Sequence, residues 1–176
     1  MNYNIIKNLF PIYLKLLNAE MKNNVIILHF ESTRTEIKCP RCKQDASKIT
    51  TYFQRTLQDL PLIDKKLMLD IRLKKFSCEN SACSRKIISE QVSELATGKS
   101  RRTTRLDEKL IKFALTNTAE GTSRLMKKSN ISVSGDTLLR ICKQWSMSHK
   151  KEDIIAIGVD DFALKKNIDM ELFLSI

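Results

Sequence analysis

The chain has 176 residues, of which 42% are hydrophobic and 29% charged, and its 31 Lys and Arg against 20 Asp and Glu give a net charge of +11. This composition is typical of a globular protein and excludes an intrinsically disordered one. The excess of cations predicts a polyanionic partner, with DNA or RNA as the leading class. A basic protein without such a partner also fits the charge.

The first 24 residues are expected to form an amphipathic or poorly ordered lead-in. Lys7, Pro11 and Lys15 interrupt their apolar residues, so the stretch is too short and too charged to cross a bilayer. The sequence also shows no secretory signal. We therefore expect no membrane partner and a cytoplasmic location.

Four of the five cysteines form two close pairs, and these pairs predict a metal site. Two residues separate Cys39 from Cys42, and four separate Cys78 from Cys83. Four thiolates at one point are the ligand set of a structural Zn²⁺, and this set leaves no coordination position open for catalysis. A chain of this length without a secretory signal favours bound metal over disulfides. The wider spacer of the second pair also fits cysteines that bind no metal together. We interpret the fifth cysteine, Cys142, as a small core residue of a helix.

Short strands are predicted before and between the cysteine pairs. Residues 25–30 form a β-branched apolar run that predicts one strand. In residues 52–57 successive side chains are expected to point to opposite faces of a second strand. Pro61 interrupts this strand, because it has no N–H group to donate to a neighbouring strand. After a turn at residues 64–66, a further strand places four apolar residues on one face: Leu67, Leu69, Ile71 and Leu73. Because two strands alone are marginally stable, a metal that ties their ends together would complete a small module.

A basic segment follows, and we interpret residues 91–104 as a linker. Residues 98–105 hold four cations beside Gly and Ser: Lys99, Arg101, Arg102 and Arg105. Such a segment can lie along DNA phosphates, which give affinity without sequence choice. A solvated basic linker explains the same pattern.

Helical periodicity begins at Thr104, which is a candidate N-cap. A second short helix is predicted over residues 122–128, and Ser134 is predicted to cap a third. Two short helices joined by a tight turn are typical of a helix-turn-helix, whose second helix enters the major groove by its N-terminal end. The candidate DNA contacts on this helix are Gly135, Asp136, Thr137, Arg140 and Lys143.

The last motif is an apolar strand that ends in two acids, Asp160 and Asp161. A carboxylate at a strand tip is a candidate Mg²⁺ ligand in two-metal phosphoryl transfer. One carboxylate does not make a metal site, and a strand that simply ends in acidic residues fits the pattern as well.

Taken in order, these segments resemble the IS-L-three-type transposases of bacterial insertion sequences. The fit extends over residues 25–166, and the matching stretches are the two cysteine pairs and residues 55–61, 76–78, 83–85, 101–106, 134–140 and 157–163. The resemblance implies a zinc finger, a helix-turn-helix, and an RNase H-like domain in which three acids bind Mg²⁺ and cut and rejoin DNA ends. Asp160 matches the first of these acids, and Asp161 is a weaker match. The implied partner is double-stranded DNA at the terminal inverted repeats of the element, and a homo-oligomer is left open.

The chain departs from this family after Ala163, where residues 164–170 lack the Gly and Tyr of the family's run. The second and third acids are also unmatched, since Asp169 and Glu171 have no counterpart. We therefore expect a truncated or decayed transposase, or the first piece of a frameshifted one, that binds DNA but is catalytically incomplete. Structural Zn²⁺ is its expected cofactor, and Mg²⁺ would act only in a complete family member.

The expected fold class is α+β, with a zinc-ribbon-like β module, then a helix-turn-helix domain, then the first strand of a truncated RNase H-like domain. The expected bounds are a lead-in at residues 1–24, a zinc finger at 25–90, a linker at 91–104, the helical domain at 105–150 and the truncated domain at 154–176. Three other functions remain open: an enzyme completed by acids of another chain, a zinc-ribbon and helix-turn-helix transcriptional regulator, and an RNA-binding or protein-interaction zinc module.

Overall fold

A computed structural model describes residues 8–148 and the backbone of residues 158–162 and 171–175. The fold is α+β, as expected, and it divides into two compact units, Met1–Cys142 and Lys143–Ile176. The strands are β1 (Leu14–Lys22), β2 (Val25–Ser32), β3 (Ile37–Lys38), β4 (Asp45–Ala46), β5 (Ile49–Leu62), β6 (Lys65–Ser77), β7 (Ile87–Ser89), β8 (Gly158–Phe162) and β9 (Glu171–Ser175). The helices are α1 (Thr104–Thr116), α2 (Ala119–Lys128) and α3 (Gly135–Ser148).

The main sheet is mixed and has the strand order β1-β2-β6-β5, with β7 paired to the last residues of β6. The β1–β2 and β5–β6 pairs are antiparallel hairpins, whereas β2 and β6 run parallel. Both hairpins turn on two residues with positive φ, at Asn23 and Asn24 and again at Ile63 and Asp64. Turns of this kind match the right-handed twist of the flanking strands. The first cysteine pair lies in the connection between β2 and β5.

The strands predicted from alternation are confirmed. Residues 25–30 lie in β2, and β6 buries Leu67, Leu69, Ile71 and Leu73 on one face of the sheet. Pro61 does not end β5, which continues to Leu62, but the pairing with β6 is irregular between Asp59 and Leu62. The proline is therefore accommodated at a local disruption of the ladder.

The expected lead-in contributes a strand, which corrects our interpretation of residues 14–22. Strand β1 pairs with β2 along its length, and Leu14 is buried while Lys15 is exposed. Phe10, just ahead of the strand, packs its ring 4.8 Å from that of Phe30. The charges that interrupt an apolar run are compatible with a strand because alternate side chains point to opposite faces.

The expected linker is also part of the fold. Val92, Leu95 and Ala96 are buried against the apolar face of the sheet and belong to its hydrophobic core. Just before them, the buried Glu90 accepts a hydrogen bond from the Lys74 amide at 3.0 Å and another from the Ser32 hydroxyl. Residues 90–96 therefore cover the sheet rather than connect two separate modules.

Three helices pack around a second core, which holds Leu106, Leu110, Ile111, Met126, Ile131, Leu138 and Ile141. The N-cap of α1 is Thr103, one residue before our prediction, and its Oγ1 accepts from the Leu106 amide at 3.3 Å. Helix α2 begins at Ala119, earlier than predicted, because the Thr118 hydroxyl accepts from the Gly121 amide at 3.1 Å. The predicted cap of α3 is confirmed, since Ser134 Oγ accepts from the Thr137 amide at 3.3 Å.

The second unit contains the strand that carries Asp160. Strands β8 and β9 are antiparallel, and Asp160 pairs with Phe173 across them. The predicted strand over residues 154–159 is described only from Gly158 onwards, and its first four residues lie outside the described part of the chain.

Candidate metal centre and nucleic-acid interface

The four paired cysteines meet at one end of the main sheet. Their Sγ atoms all lie within 4.8 Å of one another. Cys39 Sγ is 3.9 Å from Cys83 Sγ, and Cys42 Sγ is 3.6 Å from Cys78 Sγ. A tetrahedron of sulfurs about 2.3 Å from a central Zn²⁺ has edges of about 3.8 Å, whereas a disulfide would bring two sulfurs to about 2.0 Å. The spacing therefore fits one tetrahedral metal ion, and all four thiols are free.

Two tight turns, here called the knuckles (residues 39–43 and 78–83), present these sulfurs. In the first, the Lys43 amide donates to the Cys39 carbonyl at 2.9 Å, and Lys43 adopts a φ of 63°. In the second, Asn80 closes the wider spacer, since its carbonyl accepts from the Cys83 amide at 3.1 Å and its Oδ1 from the Ala82 amide at 3.0 Å. This explains why a four-residue spacer still gives a compact turn.

The protonation of the thiols indicates a site that needs a cation. The Cys42 amide favours the Cys39 thiolate, burial opposes it, and with the Arg41 amide the pKa of Cys39 falls to about 6. The Asn80 amide also favours the Cys78 thiolate, but burial and the neighbouring cysteines outweigh it, and the pKa of Cys78 rises to about 12. Four thiolates this close together repel one another, and a bound cation would stabilise all four.

The centre is enclosed by the protein. Cys39 is 0% exposed, and Ala46, Phe76 and Ile88 pack with the cysteines in a small hydrophobic cluster. With four sulfur ligands the ion would have no position for water or substrate. The arrangement is that of structural zinc, and Cys39, Cys42, Cys78 and Cys83 are the residues that would hold it.

Two of the four cations predicted to contact DNA from residues 98–105 are bound to carboxylates of the protein itself. Arg105 binds the buried Asp59 through Nε at 2.7 Å and through a second guanidinium nitrogen, and Asp59 holds the pKa of Arg105 above its usual value. Thr103 Oγ1 also donates to Asp59, at 2.7 Å. The Arg102 guanidinium is paired with Asp107. These contacts fix the start of α1 against β5.

The other two cations, Lys99 and Arg101, are exposed. Their backbone is held by the sheet, because the Arg55 guanidinium donates to the Gly98 carbonyl at 2.8 Å and the Gln58 amide donates to the Arg101 carbonyl at 2.8 Å. The segment is therefore a loop held by hydrogen bonds to the sheet, and it presents two exposed cations. We expected a flexible linker that presents four.

The predicted contacts on α3 differ in their accessibility. Asp136, Arg140 and Lys143 are exposed, and Thr137 is half-buried with its hydroxyl 3.0 Å from Ser134 Oγ. Gly135 is buried beside the carboxylate of the exposed Glu120, which would have to move to make room for a Cβ at this position. Gly135 is thus less accessible than the charged residues, and the exposed surface of α3 carries Asp136, Arg140 and Lys143 together with the apolar residues Leu139 and Met147. The assignment of all these residues to DNA binding stays a prediction.

The structure also shows residues that our sequence reasoning passed over. Asp59 lies in residues 55–61, one of the stretches that carry the family resemblance. The sequence signal that could have identified it is an acid between Leu57 and Leu60 in an alternating strand. Arg41 and Arg85, which flank the sulfurs of the two knuckles, line a common cleft with Pro40 and Ser84. Neither arginine stands out in the sequence, because the cleft exists only when the two cysteine pairs meet.

No helix in the part of the chain that the structure describes is long and apolar enough to cross a membrane. No curated protein and no solved structure matches the chain. Residues 35–83 match the family described as the zinc-finger of transposase IS204/IS1001/IS1096/IS1165. This match spans both cysteine pairs and the strands between them, and it agrees with the sulfur geometry. Residues 35–83 are therefore similar to the zinc finger of these transposases, and this similarity suggests a DNA-binding N-terminal part of a transposase.

Proposed function

We propose that this chain is the DNA-binding N-terminal portion of an insertion-sequence transposase and that it recognises the terminal inverted repeats of its element. The observation that carries the proposal is the four-cysteine centre within a stretch that matches a transposase zinc finger. The net charge of +11 supports a nucleic-acid partner.

Within this proposal, α2 and α3 act as a helix-turn-helix and the exposed side of α3 reads the DNA. Arg140 and Thr137 provide base contacts. Asp136 and Lys143 are further exposed residues of α3. Lys99 and Arg101 bind phosphates, which set affinity but not sequence choice. A homo-oligomer and a cytoplasmic location are parts of the same proposal. Asp160 is its one candidate catalytic residue, and no catalytic step is assigned to this chain.

Selection from a library of random duplexes of about 30 bp tests the proposal, because such a duplex spans more than two turns of DNA. The expected result is enrichment of one sequence that also occurs, inverted, on both sides of the gene. Arg140→Ala should reduce the preference for that sequence by about 1–3 kcal/mol, with weak non-specific binding retained.

The alternatives give different results in this experiment. A transcriptional regulator would enrich a sequence found at promoters and absent from the flanks of the gene. An RNA-binding or protein-interaction module would enrich no duplex. Binding that is insensitive to Arg140→Ala and Thr137→Ala would contradict the role of α3.

A further inference from the structure

The two knuckles form a cleft between them at the outer end of the zinc module. The cleft has a volume of about 550 Å³ and is lined by Pro40, Arg41, Ser84 and Arg85, which we call the knuckle cleft. Pro40 and Arg41 lie between the first two cysteines, and Ser84 and Arg85 directly follow the last. The short distance between Cys39 and Cys83 therefore brings both arginines to the lining of one opening.

The surroundings of the knuckle cleft are strongly cationic. Residues 37–48 and 78–86 carry only two acids, Asp45 and Glu79, against six exposed cations: Lys38, Arg41, Lys43, Lys48, Arg85 and Lys86. In the described part of the chain, none of these six is within ion-pair distance of a carboxylate. The two segments that carry the cleft thus hold an excess of exposed cations over acids, and this excess favours an anionic partner.

A simpler explanation is that these cations balance the zinc centre, since one Zn²⁺ with four thiolates has a net charge of −2. The hydrogen bonds that the sulfurs of Cys39 and Cys78 accept from groups other than cysteine side chains do not favour this explanation. They come from the backbone amides of Arg41, Cys42 and Asn80, and the Arg41 and Arg85 guanidinium groups are not among these donors. Both arginine side chains are exposed and line an opening to solvent.

We propose that the knuckle cleft binds a phosphate of the DNA backbone, so that the zinc module makes a DNA contact separate from α3. This inference rests on the proposed function, since it takes DNA as the partner. An arginine fork can donate two parallel hydrogen bonds to one phosphate, and two forks with the Ser84 hydroxyl surround such a group with donors. The contact adds affinity and fixes orientation without reading sequence.

The salt dependence of DNA binding by the full zinc-loaded chain tests this proposal. One phosphate contact adds about 0.9 to the slope of log affinity against log salt concentration, so removing both forks with Arg41→Gln and Arg85→Gln should reduce the slope by about 0.9. Between about 50 and 200 mM salt, the wild-type chain should therefore lose about 3.5-fold more affinity for an unselected duplex than this variant.

Three matched measurements support the comparison. Lys15→Gln with Lys22→Gln removes the same charge from the exposed strand β1 and should change the slope much less. Arg41→Lys with Arg85→Lys should keep most of the slope, because the positive charges remain. Inorganic phosphate should compete only weakly with the duplex if the cleft binds DNA, whereas strong competition would point to a site for free phosphate and overturn the proposal.

The possible failures can be told apart. If the wild-type chain binds no duplex, the proposed function fails. The knuckle cleft proposal then fails as well, because it takes DNA as the partner. If the wild-type chain binds and the glutamine variant, with full zinc content, shows the wild-type slope, only the knuckle cleft proposal fails. Should the glutamine variant lose zinc, Ser84→Glu gives a second test, since the added carboxylate repels a phosphate from the cleft and should lower the slope by about 0.9, and an unchanged slope would overturn the proposal.

Discussion

Residues 98–105 and the two knuckles are both rich in cations, yet the protein uses the cations of the two regions differently. In residues 98–105, Arg102 and Arg105 are paired with Asp107 and Asp59, and these pairs hold α1 on the sheet. At the knuckles, Arg41 and Arg85 line an open cleft and have no described carboxylate partner. The number of cations in a segment therefore does not indicate how many can reach DNA. Whether a cation can reach DNA depends on whether the fold pairs it with a carboxylate. Arg105, for example, is paired with Asp59, which lies 46 residues away in the sequence.

The largest expected effect is the loss of the metal centre. Cys39→Ser removes one of the four thiolate ligands and should abolish stoichiometric zinc binding. The effect on stability is large because a structural Zn²⁺ contributes about 10–16 kcal/mol in small zinc domains. Hydrogen exchange should then increase at the knuckles and much less in residues 98–105, which the Asp59 contacts hold independently. Zinc content by atomic absorption and exchange by mass spectrometry measure the two effects. Cys142→Ser is the matched control and should keep the zinc, whereas unchanged zinc in Cys39→Ser would refute the metal centre.

The next effect concerns the anchored segment. Asp59→Ala leaves Arg105 without its carboxylate and Thr103 without its acceptor, and it should lower the free energy of unfolding by about 3 kcal/mol. This is the low end for a buried pair, because the Arg105 side chain is 36% exposed. Urea denaturation of the zinc-loaded chain gives the measurement. Glu108→Ala removes an exposed acid of α1 and should cost far less, and a similar cost for both variants would contradict the assigned role of Asp59.

A smaller effect separates neighbouring arginines in the same segment. Arg102→Gln should lower stability by about 1 kcal/mol through loss of its pair with Asp107, with little change in the salt slope of DNA binding. Arg101→Gln should leave stability unchanged and reduce the slope by about 0.9. Denaturation and binding titrations on both variants provide the test, and equal slopes in the two would show that the pairing does not decide which cation meets DNA.

The smallest effect is a change with pH in the metal-free chain. The pKa of Cys39 lies below its ordinary value, at about 6, so its ionised form stabilises the fold at high pH and this contribution disappears as the pH falls from 9 to 6. The pKa of Cys78 lies above its ordinary value, at about 12, so its contribution is present below pH 9 and disappears between 9 and 12. In difference titrations of thiolate absorbance, Cys39→Ser should therefore remove signal that appears below the ordinary thiol range, and Cys78→Ser should remove signal that appears above it. Loss of signal at the same pH in both variants would contradict this.

The sequence predicts features that depend on local chemistry. The paired cysteines specify their own turns, and the alternation of Leu67, Leu69, Ile71 and Leu73 identifies both a strand and its buried face. Features formed by distant segments were missed, because no local pattern marks them. Strand β1 is stabilised by β2, Val92 and Leu95 are buried only because the sheet is there, and the knuckle cleft requires both cysteine pairs to meet. The helix-turn-helix and the DNA contacts of α3 stay predictions.

The parallel pairing of β2 with β6 has a consequence for how the chain folds during synthesis. Leu28 pairs with Leu69, so the sheet cannot be completed until the ribosome has released more than 40 further residues. The β5–β6 hairpin can form as a local unit, but its apolar face stays uncovered until β2 has docked and residues 92–96 have emerged. Nascent chains that stall before this point present an open strand edge and a hydrophobic surface, which is the condition under which partly folded proteins aggregate. Zinc can be bound by all four cysteines only after Cys83 has emerged, and the metal then joins the two ends of the intervening segment.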